Sequence, residues 1–258
     1  MAELPTGIVT FVFTDIEGST RLWEQRSQAM PTALARHDAI VRGAIENHDG
    51  VVFRTGGDAF YAAFGCAPAA LAAALAAQLA LAAEPWSALG LPDGELLRVR
   101  MALHTSEVVL RDGDYIGPPL NRIARLLIAG HGGQTLLSLA TAELVRAQLP
   151  DGAALRDLGE HRLRDLAQPE QIYQLDAPGL LDDFPPLRTH GKQGDARNIL
   201  QSQPPAGEDQ SAAEQPAWQQ VKLPDMPGID YDAVFERDRQ QNRRRSGRKK
   251  KTESGGLL

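Results

Sequence analysis

The 258-residue chain has a single cysteine, Cys66. One thiol excludes an intrachain disulfide framework and suits a reducing compartment, so the expected location is the cytoplasm. No succession of charged, apolar and small residues opens the chain, which argues against a secretory leader. Long apolar runs are missing too. The most apolar stretch, residues 64–83, is mostly alanine and contains Pro68 and Gln78. Within it Leu71, Leu75 and Leu79 recur every four residues, the core stripe of a helix packed on protein rather than a membrane span. Lysine is absent from residues 1–188, where 15 Arg face 23 Asp and Glu for a net charge of −8. Residues 189–258 carry 12 basic and 10 acidic residues, a net of +2. An acidic body argues against a nucleic-acid-binding core and suits a protein that concentrates divalent cations.

What is present alternates between strand and helix signals. Residues 7–14 read as a strand. A helical stretch follows from Ser19 or Thr20 to about 48, with Pro31 as a break or a new first turn. Strands at 51–53 and 59–64 flank "RTGGD", and the Ala/Leu helix closes at Glu84-Pro85. A strand at 97–104 continues through 107–110, and "RDGDYIGPP" (111–119) reads as a loop. A helix over 120–129 places Leu120, Ala124 and Leu127 on one face and stops at Gly130. A strand at 134–137, a helix at 141–149 and strands near 155–163 and 171–175 complete the body. This order predicts an α+β fold: a ferredoxin-like βαββαβ core with extra C-terminal strands, and a mixed sheet with helices packed on one side. From 189 onward Gln, Pro, Ser and acids dominate, so the expected organisation is a domain at 1–188 and a disordered tail at 189–258. The basic cluster "NRRRSGRKKK" (242–251) reads either as a solvated end or as a contact for nucleic acid or an anionic membrane surface.

The segment "FVFTDIEGST" (11–20) runs from apolar strand residues into two acids and a Gly-Ser-Thr turn. Asp15 closes this strand, and Asp58 lies between the next two. Carboxylates from neighbouring strands, without His or Cys nearby, make a hard oxygen site suited to Mg²⁺ or Mn²⁺ rather than zinc. Such ions take one or two carboxylates and leave the remaining positions to phosphate. Backbone N–H groups of Gly18, Ser19 and Thr20 then suit phosphate oxygens, and Gly56 and Gly57 allow a close approach. The plain alternative is that Asp15 and Ser19 only cap the following helix.

Four ordered blocks, "FTDIEGSTRLWE", "FRTGGDAFYAAF", "RVRMALHTSEVVLRDGDYIGPPLNRIARLL" and "LGEHRLRDLAQPEQIYQL", together resemble the class III adenylate/guanylate cyclase catalytic domain in its bacterial branch. The similarity extends from about residue 7 to 188, including "DFPPLR". It implies conversion of a nucleoside triphosphate to the 3′,5′-cyclic monophosphate and pyrophosphate with two ions, Mg²⁺ or Mn²⁺, per active site. Carried over residue by residue, the metal ligands are Asp15, Asp58 and the carbonyl of Ile16. The ribose-orienting asparagine is Asn121 and the transition-state arginine is Arg125, four residues apart on one predicted helix. The base-reading positions are Arg54, where the family has lysine, and Asp114. That pair favours ATP over GTP as substrate, with the rate open to reduction because arginine does not replace lysine at a fitted site. Arg164 matches a phosphate-binding lysine loosely, and Ser106 stands where glycine is common. The resemblance also implies a homodimer, with the metal acids from one subunit and the base pair, Asn121 and Arg125 from the other. Two other readings stay open. "DIEGST" superficially resembles the D-x-D-G-T start of haloacid-dehalogenase phosphatases, although Glu17 has the wrong length for their acid and no repeating βα units follow. A cyclase-like domain that binds nucleotide or a partner but turns over poorly is the other.

Overall fold

The computed structural model describes residues 3–111 and 114–189. The predicted tail from residue 190 on, with its basic cluster, lies outside the described residues.

The first strand, β1 (Gly7–Ile16), extends two residues past the predicted end, so Asp15 lies within the sheet. Pro31 restarts the helical stretch rather than kinking it: α1 (Ser19–Gln25) ends, and α2 (Met30–Glu46) carries Pro31 in its first turn. There the missing N–H costs nothing, because the first-turn donors have no partner within the helix. A tight hairpin joins β2 (Val51–Gly56) to β3 (Ala59–Phe64), turning at Gly57 with φ of 61°. After α3 (Ala67–Ala83) comes a single 3₁₀ turn at Trp86–Leu89, followed by the 13-residue β4 (Val99–Arg111). The predicted loop at 111–119 contains a short strand instead, β5 (Asp114–Ile116), paired back onto the end of β4. Then follow α4 (Pro118–Ala129), β6 (Thr135–Ser138), α5 (Leu139–Val145), β7 (Ala154–His161) and β8 (Glu170–Asp176). The sheet order is β2-β3-β1-β4-β6-β8-β7, with β6 parallel to β4 and the other neighbours antiparallel. Its first four strands form the expected ferredoxin-like core.

Helices cover both faces of this sheet, not the one side expected. On the first face α2, α3 and α5 pack over Val12, Ile16, Phe60, Phe64, Met101 and Leu103. The predicted leucine stripe of α3 is only partly internal. Leu71 is buried, Leu75 is half-buried and Leu79 reaches the surface beside Gly179. The helix instead buries Ala67, Ala70, Ala73, Ala74 and Ala77, with Leu71 and Leu81. Alanines let its backbone approach its neighbours closely, which a full row of leucines would prevent. No helix among the described residues is long and apolar enough to cross a membrane.

The second face carries α4 and the β4–β5 arm. Helix α4 buries Ile123, Leu126, Leu127 and Ala129, while Leu120 and Ala124 of the predicted stripe lie at the margin. Tyr115 of β5 is the arm's anchor. Its ring meets Phe11 at 4.9 Å and Phe53 at 5.0 Å edge-on, and its hydroxyl donates to the Pro5 carbonyl at 2.7 Å. Burial pushes that phenol up to about 12.

Candidate active site

Strand alternation decides which side chains reach the site. Val9, Phe11 and Phe13 face α4, and Asp15 continues that row, while Val12 and Ile16 face α2 and α3. Asp58 follows Gly57 in the β2–β3 turn, and its Oδ2 accepts the Ile16 N–H at 2.7 Å. Two acids 43 positions apart in sequence are thereby tied to consecutive residues of one strand end. Arg100, directly across from Asp15 in the β1–β4 register, donates Nε–H to Asp15 Oδ1 at 2.7 Å and a second N–H to Oδ2. Even so, the Asp15 carboxyl is held above its ordinary value. Burial is the main cause; the Arg100 hydrogen bond and charge oppose it, and the Asp58 and Glu17 charges add to it. One guanidinium does not compensate this half-buried acidic corner, so it favours further positive charge. Among the described residues no three His, Cys, Asp or Glu side chains cluster to hold a metal on their own. The donor set is two carboxylates, which fits Mg²⁺ or Mn²⁺ completed by water and phosphate and does not fit zinc.

Glu17 has a different task. Its Oε2 accepts the Gly132 N–H at 3.1 Å, and its Oε1 pairs with Arg188. Burial pulls this carboxyl up, but Arg188 and the Gly132 N–H outweigh it and hold it below its ordinary value. Gly132 is needed there, since a Cβ would lie 2.6 Å from Arg98 Cβ and 2.9 Å from Glu17 Oε2. The second acid of "DIEGST" therefore fastens the strap that follows β8 and gives no support to a phosphatase-type acid. Gly18, with φ of 70°, occupies the position before α1, and no side chain caps that helix. The simple capping role for Asp15 and Ser19 is not realised. The backbone N–H groups of Ser19 and Thr20, in the first turn, are left without an intrahelical acceptor.

Arg54 and Asp114 form an ion pair within the chain. A bulge at Phe53 shifts the β2 register between Val52 and Arg54, so Arg54 sits opposite Tyr61. Such an extra residue re-aims the side chains after it, and here it puts Phe53 and Arg54 on the α4 face together. Tyr61 lies between the two clusters: its hydroxyl is raised by burial first, then by the Asp15 charge, and lowered by Arg54.

Asn121 and Arg125 are one turn apart on α4, as expected. Arg125 donates to Asp165 at 2.8 Å, and Arg164 lies 3.6 Å from the same carboxylate. Among the described residues no hydrogen bond or ion pair joins Asn121 or Arg125 to Asp15 or Asp58. Ser106 sits within β4 at negative φ, so nothing at that position demands glycine.

Sequence reasoning overlooked Arg100, Asp165 and Tyr61. Arg100 carried a usable signal, because an arginine inside a predicted sheet strand needs a carboxylate and Asp15 is borne on a strand. Asp165 carried none: it adopts φ of 61° in an irregular segment, visible only once the chain is folded.

With this geometry in place, residues 1–176 match the family model for the adenylate and guanylate cyclase catalytic domain. An uncharacterized protein of Mycobacterium tuberculosis is 47% identical over 187 residues, covering 72% of this chain and 61% of that protein. An adenylate cyclase of Podospora anserina is 31% identical over 221 residues, covering 66% of this chain but 10% of that enzyme. The chain thus spans under two thirds of these relatives' length. Among solved structures, adenylate cyclases of Trypanosoma brucei in their monomeric state superpose with a TM-score of 0.63 at 29% identity, over 72% of this chain and 95% of theirs. The adenylyl cyclase CyaB of P. aeruginosa gives 0.58 at 25% identity, over 74% of this chain and all of that one. Two acids joined at the end of β1, on a ferredoxin-like core, are what this match covers: the chain belongs to the adenylate and guanylate cyclase catalytic domain family.

Proposed function

We propose that the chain is a nucleotidyl cyclase that converts ATP, and GTP less readily, to the 3′,5′-cyclic monophosphate and pyrophosphate. The observation that carries this reading is the joining of Asp15 and Asp58 through Ile16, with the Asp15 carboxyl raised by its own surroundings. Two divalent ions, Mg²⁺ or Mn²⁺, on Asp15, Asp58 and the Ile16 carbonyl would supply a lowered pKa for the ribose 3′-hydroxyl and counter-charge for the β- and γ-phosphates. In the reaction the 3′-oxygen attacks the α-phosphorus, the α–β bridging bond breaks, and the hydroxyl proton leaves with pyrophosphate as the second product.

The chain's own residues bind and orient. Gly18, Ser19 and Thr20 offer backbone N–H groups to phosphate, and Arg164 adds positive charge. Asn121 orients the ribose. Arg125 meets charge developing on the α-phosphate, an interaction that strengthens toward the transition state. Asp114 accepts from the adenine amino group, and Arg54 donates to adenine N1. A homodimer, with the acids of one copy facing Asn121 and Arg125 of the other, completes the site. The domain ends near residue 188 and works in the cytoplasm.

A second reading, a nucleotide-binding or regulatory module with little turnover, has one observation behind it. Asp15, Arg54 and Arg125 are each already paired, with Arg100, Asp114 and Asp165 respectively. Substrate must exchange all three contacts. A product assay offering ATP and GTP separately, with Mg²⁺ and then Mn²⁺, decides between the readings. Cyclic product lost in Asp58→Ala supports the enzyme; nucleotide binding without product supports the module.

A further inference from the structure

Behind the turn that starts α1, on the side where Glu17 meets Arg188, lies an open cleft of about 690 Å³. Its walls carry Arg21, Arg98 and Arg188 against Glu17 and Glu95, with Gly18 also in the lining and neither Asp15 nor Asp58 part of it. The acids are already engaged. Glu95 is paired with Arg26 at 2.8 Å, and Glu17 is shared between Arg188 and the Gly132 N–H. The guanidinium groups of Arg21 and Arg98 have no ion pair or hydrogen bond, a condition shared only with Arg162 among the arginines of the described residues. Among the described residues, two of the three arginines with unpartnered guanidiniums therefore line one cleft, in a body whose net charge is −8. Guanidinium groups present forked N–H donors that match phosphate oxygens, and several around one concavity select multivalent anions.

We propose that this cleft is a second anion site, separate from Asp15 and Asp58, for a small multivalent phosphate of the pyrophosphate class. Arg21 and Arg98 supply the standing positive charge. Arg188 is the contested donor, since a bound anion competes with Glu17 for it, and release of Glu17 would loosen the strap on the residue next to Gly18. The arginines are exposed or half-exposed, so binding is modest and weakens with salt. Nothing in the proposal depends on the cyclase reading, because it concerns binding without a divalent ion.

The test is calorimetric titration of the full chain with inorganic pyrophosphate at low ionic strength, with EDTA present throughout. One equivalent is expected to bind wild type and Asp58→Ala alike. The double variant Arg21→Ala/Arg98→Ala should bind at least about tenfold more weakly, with unchanged circular dichroism. Glu17→Gln, which removes the internal competitor's charge, should bind about threefold more tightly. Absence of metal-free binding by wild type overturns the proposal. So does undiminished affinity in the double variant, which would place the anion outside this cleft. Failure to form cyclic product leaves each of these outcomes readable.

Discussion

On one face of the sheet α2, α3 and α5 close over a largely aliphatic core that also holds Phe60, Phe64 and Trp86, with an alanine-lined contact; on the other, α4 and the β4–β5 arm close over Phe11, Phe13, Phe53 and Tyr115. The charged residues of interest gather on the second face and its rim: Asp15 with Arg100, Arg54 with Asp114, and Arg125 with Asp165. The first face holds only a few polar groups, such as Gln78, which donates to the Val99 carbonyl at 2.9 Å. Burial on the first face is close to complete and apolar, so it contributes stability. The second face keeps carboxylates and guanidiniums half-wet, and there the proposed chemistry resides. The difference teaches where substitutions should divide between loss of fold and loss of turnover.

The sharpest way to break that division is Asp58→Ala, which removes one of two carboxylates and frees the Ile16 N–H. Cyclic product should fall by about 10²-fold or more while the melting temperature changes little, read by product chromatography and thermal unfolding on the same sample. Next, Arg125→Ala should lower kcat by about 10² with a small change in KM, because its contact is strongest in the transition state. Mixing the two inactive variants should restore part of the activity through heterodimers that carry one intact site. No recovery despite proven subunit exchange would refute the shared site. On the opposite face, Leu71→Ala should cost about 2–5 kcal/mol of stability and leave kcat per folded molecule unaltered. If Leu71→Ala abolished kcat without lowering the melting temperature, the two faces would not divide the work as described.

Acid sensitivity sharpens the contrast on a finer scale. His104 is buried beside Ser138, and burial, helped by the Arg122 charge, lowers it from 6.5 to about 4. Between those values the unfolded chain takes up a proton that the folded chain refuses, so stability falls as pH drops from about 6.5 to about 4. The loss is on the order of 3 kcal/mol. His37, also lowered by burial, adds to it with the same sign. His104→Gln should flatten this acid limb in melting curves. Asp15 has the opposite sign: its raised carboxyl favours the fold as it protonates, and a divalent cation must displace that proton. Mn²⁺ should therefore raise the melting temperature more above neutrality than at acid pH, the smallest of these effects, and Asp58→Ala should abolish the rise.

Much of this was legible before folding. Pro31, the Gly57 turn, the arrest at Gly130 and the alternation of β1 are local, fixed by missing donors, permissive backbone and period-two patterning. The pairing of Asn121 with Arg125 on one helical face followed from spacing alone. The α3 stripe misled because leucine marks the apolar row only where neighbours leave room for it; alanine wins where helix and sheet lie close. The loop at 111–119 concealed β5 because Tyr115 earns its burial from Phe11 and Phe53, both distant in sequence.

By itself the sequence determined the strand that ends in acids and the ferredoxin-like order of its elements, and it offered Asp15, Asp58 and the Gly-Ser-Thr turn as candidates for cation and phosphate. These rest on short-range rules of periodicity, turn chemistry and the types of atoms each side chain offers, whereas the candidates for base and ribose came only from the family resemblance. Only the tertiary structure decided that Asp58 is tied to Ile16, that Arg100 sits on Asp15, that Glu17 holds Arg188, and that α4 lies across the sheet from α2 and α3. Each of those depends on strand register or on which face a helix covers, and both are settled by long-range packing that no local stretch of sequence contains.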